Sequence, residues 1–463
     1  MEYALWTSVA IFVVTFGLII AEKLHRTVIA FFGAIVMIVA GIIFGFYSPE
    51  EAMHSIDFNT IGLLLGMMTI VVIMETTGAF QYLGILSAKK TKGNPWLLVI
   101  ALGTVTTLLS LVLDNVTTII LIVPITLVVT RMLKINPTPI LMAEALLSDT
   151  GGVATLVGDP PNIMIGSAAG FSFNDFLTHS LPVVLIAWFA TLFVLKFVYR
   201  KEMKEKPQNI DKLMKMDEKE AITDMRTLKI IIGVLMLVVG LFFIHNKIGL
   251  EPSMVALIGA AIALILVSPK KDPQKIFEKL ELSVLVFFAA LFVIVGGLEG
   301  SGALDIVAQH LVSGAESNIV MTAVIVLWMS AILSALVDNI PFTVAMIPVI
   351  AALQAKGLDV NILWWALVFG VGFGGNGSPI GSTANVIVVS KSEQTDTPIT
   401  LKGWLKGGTS VMLVTCIIAT IILVSFSSYF NKTTMGQTVV ASHETSQEET
   451  VNEVPHGEQS MYE

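Results

Sequence analysis

The sequence predicts an all-α polytopic membrane protein made of two inverted-topology repeats, and three observations carry that expectation. Hydrophobic residues make up 55% of the 463 and charged residues 13%, against roughly 25% charged in an average soluble domain, and mean hydropathy is +0.83. Apolar runs long enough to cross a bilayer alternate with short charged loops. That pattern marks a helical bundle, since inside lipid the backbone must satisfy its own hydrogen bonds. The third observation is a repeat. LLSLVLDNVTTIILIVPITLVV at 108–129 and LSALVDNIPFTVAMIPVIAAL at 333–353 set Asp114, Asn115 and Pro124 against Asp338, Asn339 and Pro348, all offset by 224 residues.

In the first half the spans are 3–21, 27–47 and 58–74, followed by two apolar arms, 96–113 and 116–130, around Asp114-Asn115. A broken segment at 139–170 and a span at 178–198 complete it. The first span lacks a basic leader and a small-x-small cleavage site, so it reads as a retained helix. Residues 199–226 are rich in Lys and Glu and read as a solvated cytoplasmic linker. The order then recurs: 228–245, 252–268, 282–298, arms at 318–337 and 340–354, a broken segment at 362–390 and a span at 408–430. The predicted units are 1–198 and 227–430 as repeats, 199–226 as linker and 431–463 as a polar, disordered tail.

The repeat extends past hydropathy. Glu75, Gly78 and Ala79 face Glu299, Gly302 and Ala303, and Pro49 faces Pro273, at the same offset; Gly151-Gly152, Gly158 and Asn162 face Gly374-Gly375, Gly381 and Asn385 at 223. Arms of about 15–20 residues are marginal for a core of about 30 Å at 1.5 Å per residue. They form either re-entrant hairpins or short crossings, giving about 10–14 membrane segments with an odd number in each half. The second half is therefore inverted. With both termini outside the cytoplasm, all of the 27 Lys and Arg residues except Lys247, Lys356 and Lys432 fall on the cytoplasmic side, as the positive-inside rule requires. Arg26 is counted there, in the loop after the first span.

Several classes are excluded. Cys416 is the only cysteine, so no intramolecular disulfide forms. Nothing resembles a nucleic-acid motif, and the partners expected are the bilayer and a small inorganic or organic ion. The seven His residues lie in loops, at span ends or in the tail, and no nucleophile-base pair is visible, which argues against an enzyme. GDPPN lacks the Lys-Ser/Thr ending of a phosphate loop.

Two kinds of break carry the chemistry. An Asp near the bilayer centre costs about 2.5–3.5 kcal/mol on insertion scales, so an acid there marks function by default. Asp114-Asn115-Val-Thr117 and Asp338-Asn339-Ile-Pro341 each open a helical arm, placing a carboxylate beside a helix N-terminus. GGVATLVGDPPNIMIG at 151–166 and GFGGNGSPIGSTANVIVV at 372–389 hold too many Gly and Pro residues for continuous helix. Unwound backbone at this depth belongs in protein or beside a wet cavity. With Gly158, Asp159, Asn162, Asn376, Ser378, Ser382, Thr383 and Asn385 it forms an oxygen-rich set suited to Na⁺ or to the hydroxyls of an oxyanion.

LDNVTT, DTGGVATLVGDPPN, VDNIPFTVAMIP and GGNGSPIGSTAN together resemble the ion transporter superfamily, in its citrate-transporter-like domain. Within it they are similar to the branch of the melanosomal P protein, arsenical pump membrane proteins (ArsB) and sodium/proton antiporters of the NhaD type, over about residues 5–430. The resemblance implies two inverted repeats, hairpins meeting at the substrate, elevator-type alternating access and a homodimer. Dicarboxylate carriers of the superfamily carry Ser-Asn-Thr at the hairpin tips. Here Asp114 and Asp338 stand at the Ser positions, with Asn115, Thr117 and Asn339 retained, which argues against di- and tricarboxylates.

The acids at depth are Asp114, Glu144, Asp149, Asp159 and Asp338, with Glu75 and Glu299 near span ends and no Lys or Arg at comparable depth. Such a lining favours cations or protons. Asp114 and Asp338 serve either as ion or proton sites, with Na⁺ near Asp114, Asn115, Asp338 and Asn339, or as caps of the turns. Asp149 and Asp159 face Gly372 and Ser382, and that asymmetry suggests a coupling role. The expected function is a secondary active ion transporter of the plasma or inner membrane, coupled to Na⁺ or H⁺ and needing no other cofactor. The alternatives are an anion transporter for dicarboxylate, citrate or arsenite, and a passive anion channel.

Overall fold

The computed structural model describes residues 2–21, 23–267, 272–304, 306 and 318–432. The expectation of a disordered tail lies, apart from its first two residues, outside them. Among the described residues there is no β-strand, and eight helices are long and apolar enough to cross a membrane.

Sixteen helices matter here. The first eight are α1 (Glu2–Ile20), α2 (Arg26–Phe44), α3 (Phe58–Glu75), α4 (Pro95–Ser110), α5 (Asn115–Leu133), α6 (Thr138–Gly152), α7 (Pro160–Ala169) and α8 (Leu181–Val198). The second eight are α9 (Met225–Ile244), α10 (Pro252–Val267), α11 (Leu282–Gly300), α12 (Ile319–Leu336), α13 (Asn339–Ala355), α14 (Asn361–Gly374), α15 (Thr383–Ser392) and α16 (Ser410–Ser425). Both arm pairs and both broken segments occur where the sequence predicts them.

Helix starts follow a local rule. Asp57, Asp114 and Asp224 each precede a helix, and the Thr three residues on (Thr60, Thr117, Thr227) donates its hydroxyl back to the carboxylate. Capping of this kind is worth about 1 kcal/mol. Asp338 has Pro341 at that place and departs from the rule, as described below.

Burial is greatest at the breaks. Every residue of α14 and every residue of α6 except Thr138 is buried. α6 lies among α4, α5 and α8, and α14 among α12, α13 and α16, while α8 packs on α16. Outside this centre α2 packs on α11 and α10 on α3, with α1 on α2 and α9 on α10. The halves also cross at the breaks, α13 packing on α7 and α15 on α5. Outer faces are apolar and exposed: Phe189, Phe193 and Phe197, four residues apart on α8, form an exposed apolar stripe.

One expectation changes. The linker at 199–226 is not simply solvated. Its short helix Ile210–Lys215 buries Leu213, and Gln208 N donates to Leu133 O at 2.8 Å, while Asn209 Nδ2 donates to Met132 O at 3.1 Å. The last carbonyls of α5 lack partners within the helix, and the linker supplies them. Further on, Thr223 N donates to Thr77 O at 2.9 Å, and Lys89 pairs with Glu218.

Candidate functional site

The breaks are held by side chains standing at related places in the sequence repeat. Asn162 Nδ2 donates to the carbonyls of Gly152 and Thr155 at 2.9 and 2.8 Å; Asn385 Nδ2 donates to those of Gly375 and Ser378 at 2.9 and 3.3 Å. Thr155 donates to Leu111 O, and Ser378 to Ala335 O. Ser110 donates to Ser148 O at 3.0 Å, and Ser334 to Val371 O at 2.9 Å. These hydrogen bonds tie side chains to carbonyls at the breaks and the arm turns. The chain also approaches itself closely, since a Cβ on Gly158 would stand 2.5 Å from Ser110 O and one on Gly381 2.5 Å from Gly375 O. Asn115 belongs to this frame, its Oδ1 accepting from Ser110.

The two Asp-Asn turns differ. Asp114, at φ −66°, accepts from Thr117 N at 2.9 Å and from Thr117 Oγ1 at 2.6 Å, an ordinary cap. Pro341 at the equivalent place offers neither an N–H nor a hydroxyl. Asp338 takes φ +82° and ψ 142° and keeps one long bond from Ile340 N at 3.3 Å. Such a backbone costs a residue with a side chain of order 1–3 kcal/mol. The Asp338 carboxylate turns outward to accept from Thr383 Oγ1 at 2.9 Å and from Arg26 at 3.3 Å. The same guanidinium nitrogen also donates to Thr383 Oγ1.

At the breaks, three buried side-chain hydrogen bonds join the halves. Asn339 Nδ2 donates to Asp159 Oδ2 at 3.2 Å, Ser382 Oγ to Asp149 Oδ1 at 3.1 Å, and Asn376 Nδ2 to Thr150 Oγ1 at 3.1 Å. All six side chains are buried. Asp159 lies within Coulombic reach of Asp149, Asp338 and Asp114. Asp149 Oδ2 and the Oδ1 atoms of Asn162, Asn376 and Asn385 are buried without a hydrogen-bond donor. Among the described residues no three His, Cys, Asp or Glu side chains converge on a metal-sized point. A cation here would take much of its coordination from amide, hydroxyl and backbone oxygens, as hard cations do.

A cavity of about 280 Å³ leads toward Asp338 and Thr383, lined also by Arg26, His25 and apolar side chains such as Ile380 and Val386. Arg26 corrects the expectation of a lining without a basic group. It reads as a loop residue because it directly precedes an apolar run, yet it is the first residue of α2 and bonds to the second turn. The signal available in the sequence was Pro341, which removes the cap and leaves Asp338 in need of a partner.

The predicted set thus divides. Asp149, Asp159, Asp338, Asn339, Asn376, Ser382 and Thr383 meet one another or the opposite half. Asn115, Gly158, Asn162, Ser378 and Asn385 brace the breaks, and Asp114 with Thr117 forms a cap. Ser110, Ser148, Thr150 and Ser334 join the frame unforeseen, because a lone hydroxyl in an apolar run carries no sequence signal.

A citrate transporter family model matches residues 16–370. The chain belongs to the citrate transporter family. The 46 kDa membrane protein of Mycobacterium leprae is 38% identical over 423 residues, covering 90% of this chain and 97% of its own. An uncharacterized transporter of Synechocystis is 30% identical, covering 89% and 95%. The P protein of Homo sapiens is 29% identical over 90% of this chain and 59% of its own length. In fold, the crystal structure of the YdaH transporter of Alcanivorax borkumensis matches with a TM-score of 0.53 at 15% identity, over 80% of this chain and 86% of that one. This member of the family is a multi-pass membrane transporter, not an enzyme.

Proposed function

We propose that the protein is a secondary active ion transporter driven by Na⁺ or H⁺, exchanging a cation for protons or linking ion efflux to them. The observation that carries this reading is the meeting of Asp149, Asp159 and Asp338 with amide and hydroxyl groups at the two breaks, four aspartates with Asp114 standing against one guanidinium. Ionisable groups at such depth mark ion or proton pathways, and oxygen atoms without donors suit a cation. Transport would follow elevator-type alternating access, with 1–198 and 227–430 as inverted repeats. The reciprocal hydrogen bonds at the breaks and the reciprocal packing of α2 on α11 and α10 on α3 support that organisation. Placement in the plasma or inner membrane, with both termini extracytoplasmic, rests on the Lys and Arg distribution; a homodimer rests on the family resemblance.

A second reading has its own support. Arg26 and the N-terminus of α15 present donors beside Thr383, and inverted-repeat transporters aim helix ends at anionic groups. An anion substrate such as citrate, a dicarboxylate or arsenite would use them.

The test is internal pH in proteoliposomes of the purified protein, with Na⁺, Li⁺, K⁺, citrate, chloride and arsenite added in turn. A response to one cation supports the first reading. A response to anions or arsenite alone replaces it with the second, and a conductance that follows voltage alone makes the protein a channel.

A further inference from the structure

Arg26 reaches the site from outside the elements that build it. It begins α2, which packs on α1 and α11, whereas Asp338 and Thr383 begin or precede α13 and α15, which pack on α7 and α5, with α13 also touching α11. The start of α2 is anchored to α11: Thr27 Oγ1 donates to Ser283 O at 3.0 Å, and the guanidinium lies 5.1 Å from the centroid of the Phe287 ring. From there one nitrogen spans the gap to Asp338 and Thr383. Among the described residues Arg26 is the only basic side chain ion-paired to any of the four site aspartates.

The grip is weak by construction. A guanidinium binds a carboxylate best through two parallel N–H donors; here a single nitrogen stands 3.3 Å from one oxygen. The pair is open at one edge, with side chains 26% and 18% exposed beside the cavity. Besides Arg26, Asp338 accepts from Thr383 Oγ1 and, at 3.3 Å, from Ile340 N, but Pro341 denies it the cap that Asp114 has. If the guanidinium leaves, Asp338 Oδ2 and Thr383 Oγ1 remain 2.9 Å apart as two oxygen ligands.

We propose that Arg26 is a tethered cation that neutralises Asp338 between transport events and is displaced from it by the transported cation. The inference deepens the cation reading above and rests on it. The competition has a mechanical consequence, because cation binding removes the ion pair that adds to the packing of α11 on α13 in joining the α2–α11 unit to the α13–α15 unit. A ligand shifts a conformational equilibrium only by its differential affinity for the two states, and exchange of a tethered for a free cation supplies that difference. It also sets selectivity, because an ion must outcompete a guanidinium at a site built of one carboxylate and one hydroxyl.

The test is the reactivity of Arg26 toward phenylglyoxal in the purified full chain, followed by peptide mass spectrometry with Arg131, Arg200 and Arg226 as internal references. Modification of Arg26 is expected to be slow without added ions and at least fivefold faster in D338N, in T383V and at saturating concentration of one of Na⁺, Li⁺ and K⁺. The reference arginines should not change. Equal Arg26 rates in wild type and both variants, in preparations of equal thermal stability, would overturn the pairing. Rates that rise in the variants but with none of the three cations would overturn displacement. Flux in proteoliposomes separates this from failure of the underlying reading: cation-driven flux with unresponsive Arg26 sinks the tether alone, whereas absence of cation-driven flux sinks the reading. Where flux is present, R26Q should lower the apparent KM for the driving cation several-fold, and an unchanged KM contradicts the competition.

Discussion

The turns at Asp114 and Asp338 share their Asp-Asn pair, their place in the repeat and the helix they open, yet their carboxylates do different things. Asp114 turns back onto Thr117 and closes its own helix. Asp338 faces Pro341, loses both donors, adopts a positive φ and pairs with Thr383 and Arg26. One difference between twins, Thr for Pro, accompanies the move of a carboxylate from a helix cap to a pair with Thr383 and Arg26. Repeats in transporters supply a frame twice over. Their differences show where the frame is put to use.

The comparison can be broken in several ways, and the largest effect is expected at Asp338 itself. Asp338→Asn removes the charge that draws a cation. Hydrogen bonds to charged groups are worth about 1.5–3 kcal/mol, so coupled flux should fall roughly 10- to 100-fold. Pro341→Thr restores the cap and should pull Asp338 inward: thermal stability rises, by about 1 kcal/mol, while flux falls toward that of Asp338→Asn. A stabilised variant with wild-type flux would break the link between the missing cap and the function.

The braces should behave as twins. Asn162→Ala and Asn385→Ala each remove two hydrogen bonds, a loss of about 1–3 kcal/mol that detergent melting curves should show as similar drops in both. Unequal drops would mean that one break carries more than a structural load. Asp114→Ala should cost about 1 kcal/mol, the usual loss for an N-cap, with a smaller effect for Asp114→Asn.

The smallest effect lies in the linker. The hydrogen bond from Lys89 holds the Glu218 carboxyl below its ordinary range. A depressed pKa adds stability above the unfolded value and loses it as pH falls through the folded one. Linker docking should therefore loosen only in acid, below the usual carboxylate range, seen as faster proteolysis at 199–226. Lys89→Ala should remove that pH dependence.

Much of the fold was legible because the bilayer leaves few choices: apolar runs gave the spans, and Gly and Pro at 151–166 and 372–389 gave the breaks within a few residues. The acids of the site were legible because a charge at depth demands a reason. Arg26 was not, since a basic residue beside an apolar run is what the positive-inside rule expects, and nothing local says that α2 brings it to a turn more than three hundred residues away. The bracing role of Asn162 and Asn385 was also hidden. An amide that binds an ion and an amide that ties two carbonyls look alike in one dimension. The linker's polar composition suggested solvent, whereas the unpaired carbonyls of α5 drew it onto the bundle.

One assay bears most directly on the difference between the turns: cation-driven change of internal pH in proteoliposomes of wild type, Asp114→Asn and Asp338→Asn, matched for protein content. Asn caps a helix about as well as Asp, so the first variant should keep flux within a factor of about two. The second should lose roughly tenfold or more, the loss that about 1.4 kcal/mol produces. Equal losses in the two variants, or a larger one at Asp114, would contradict the account.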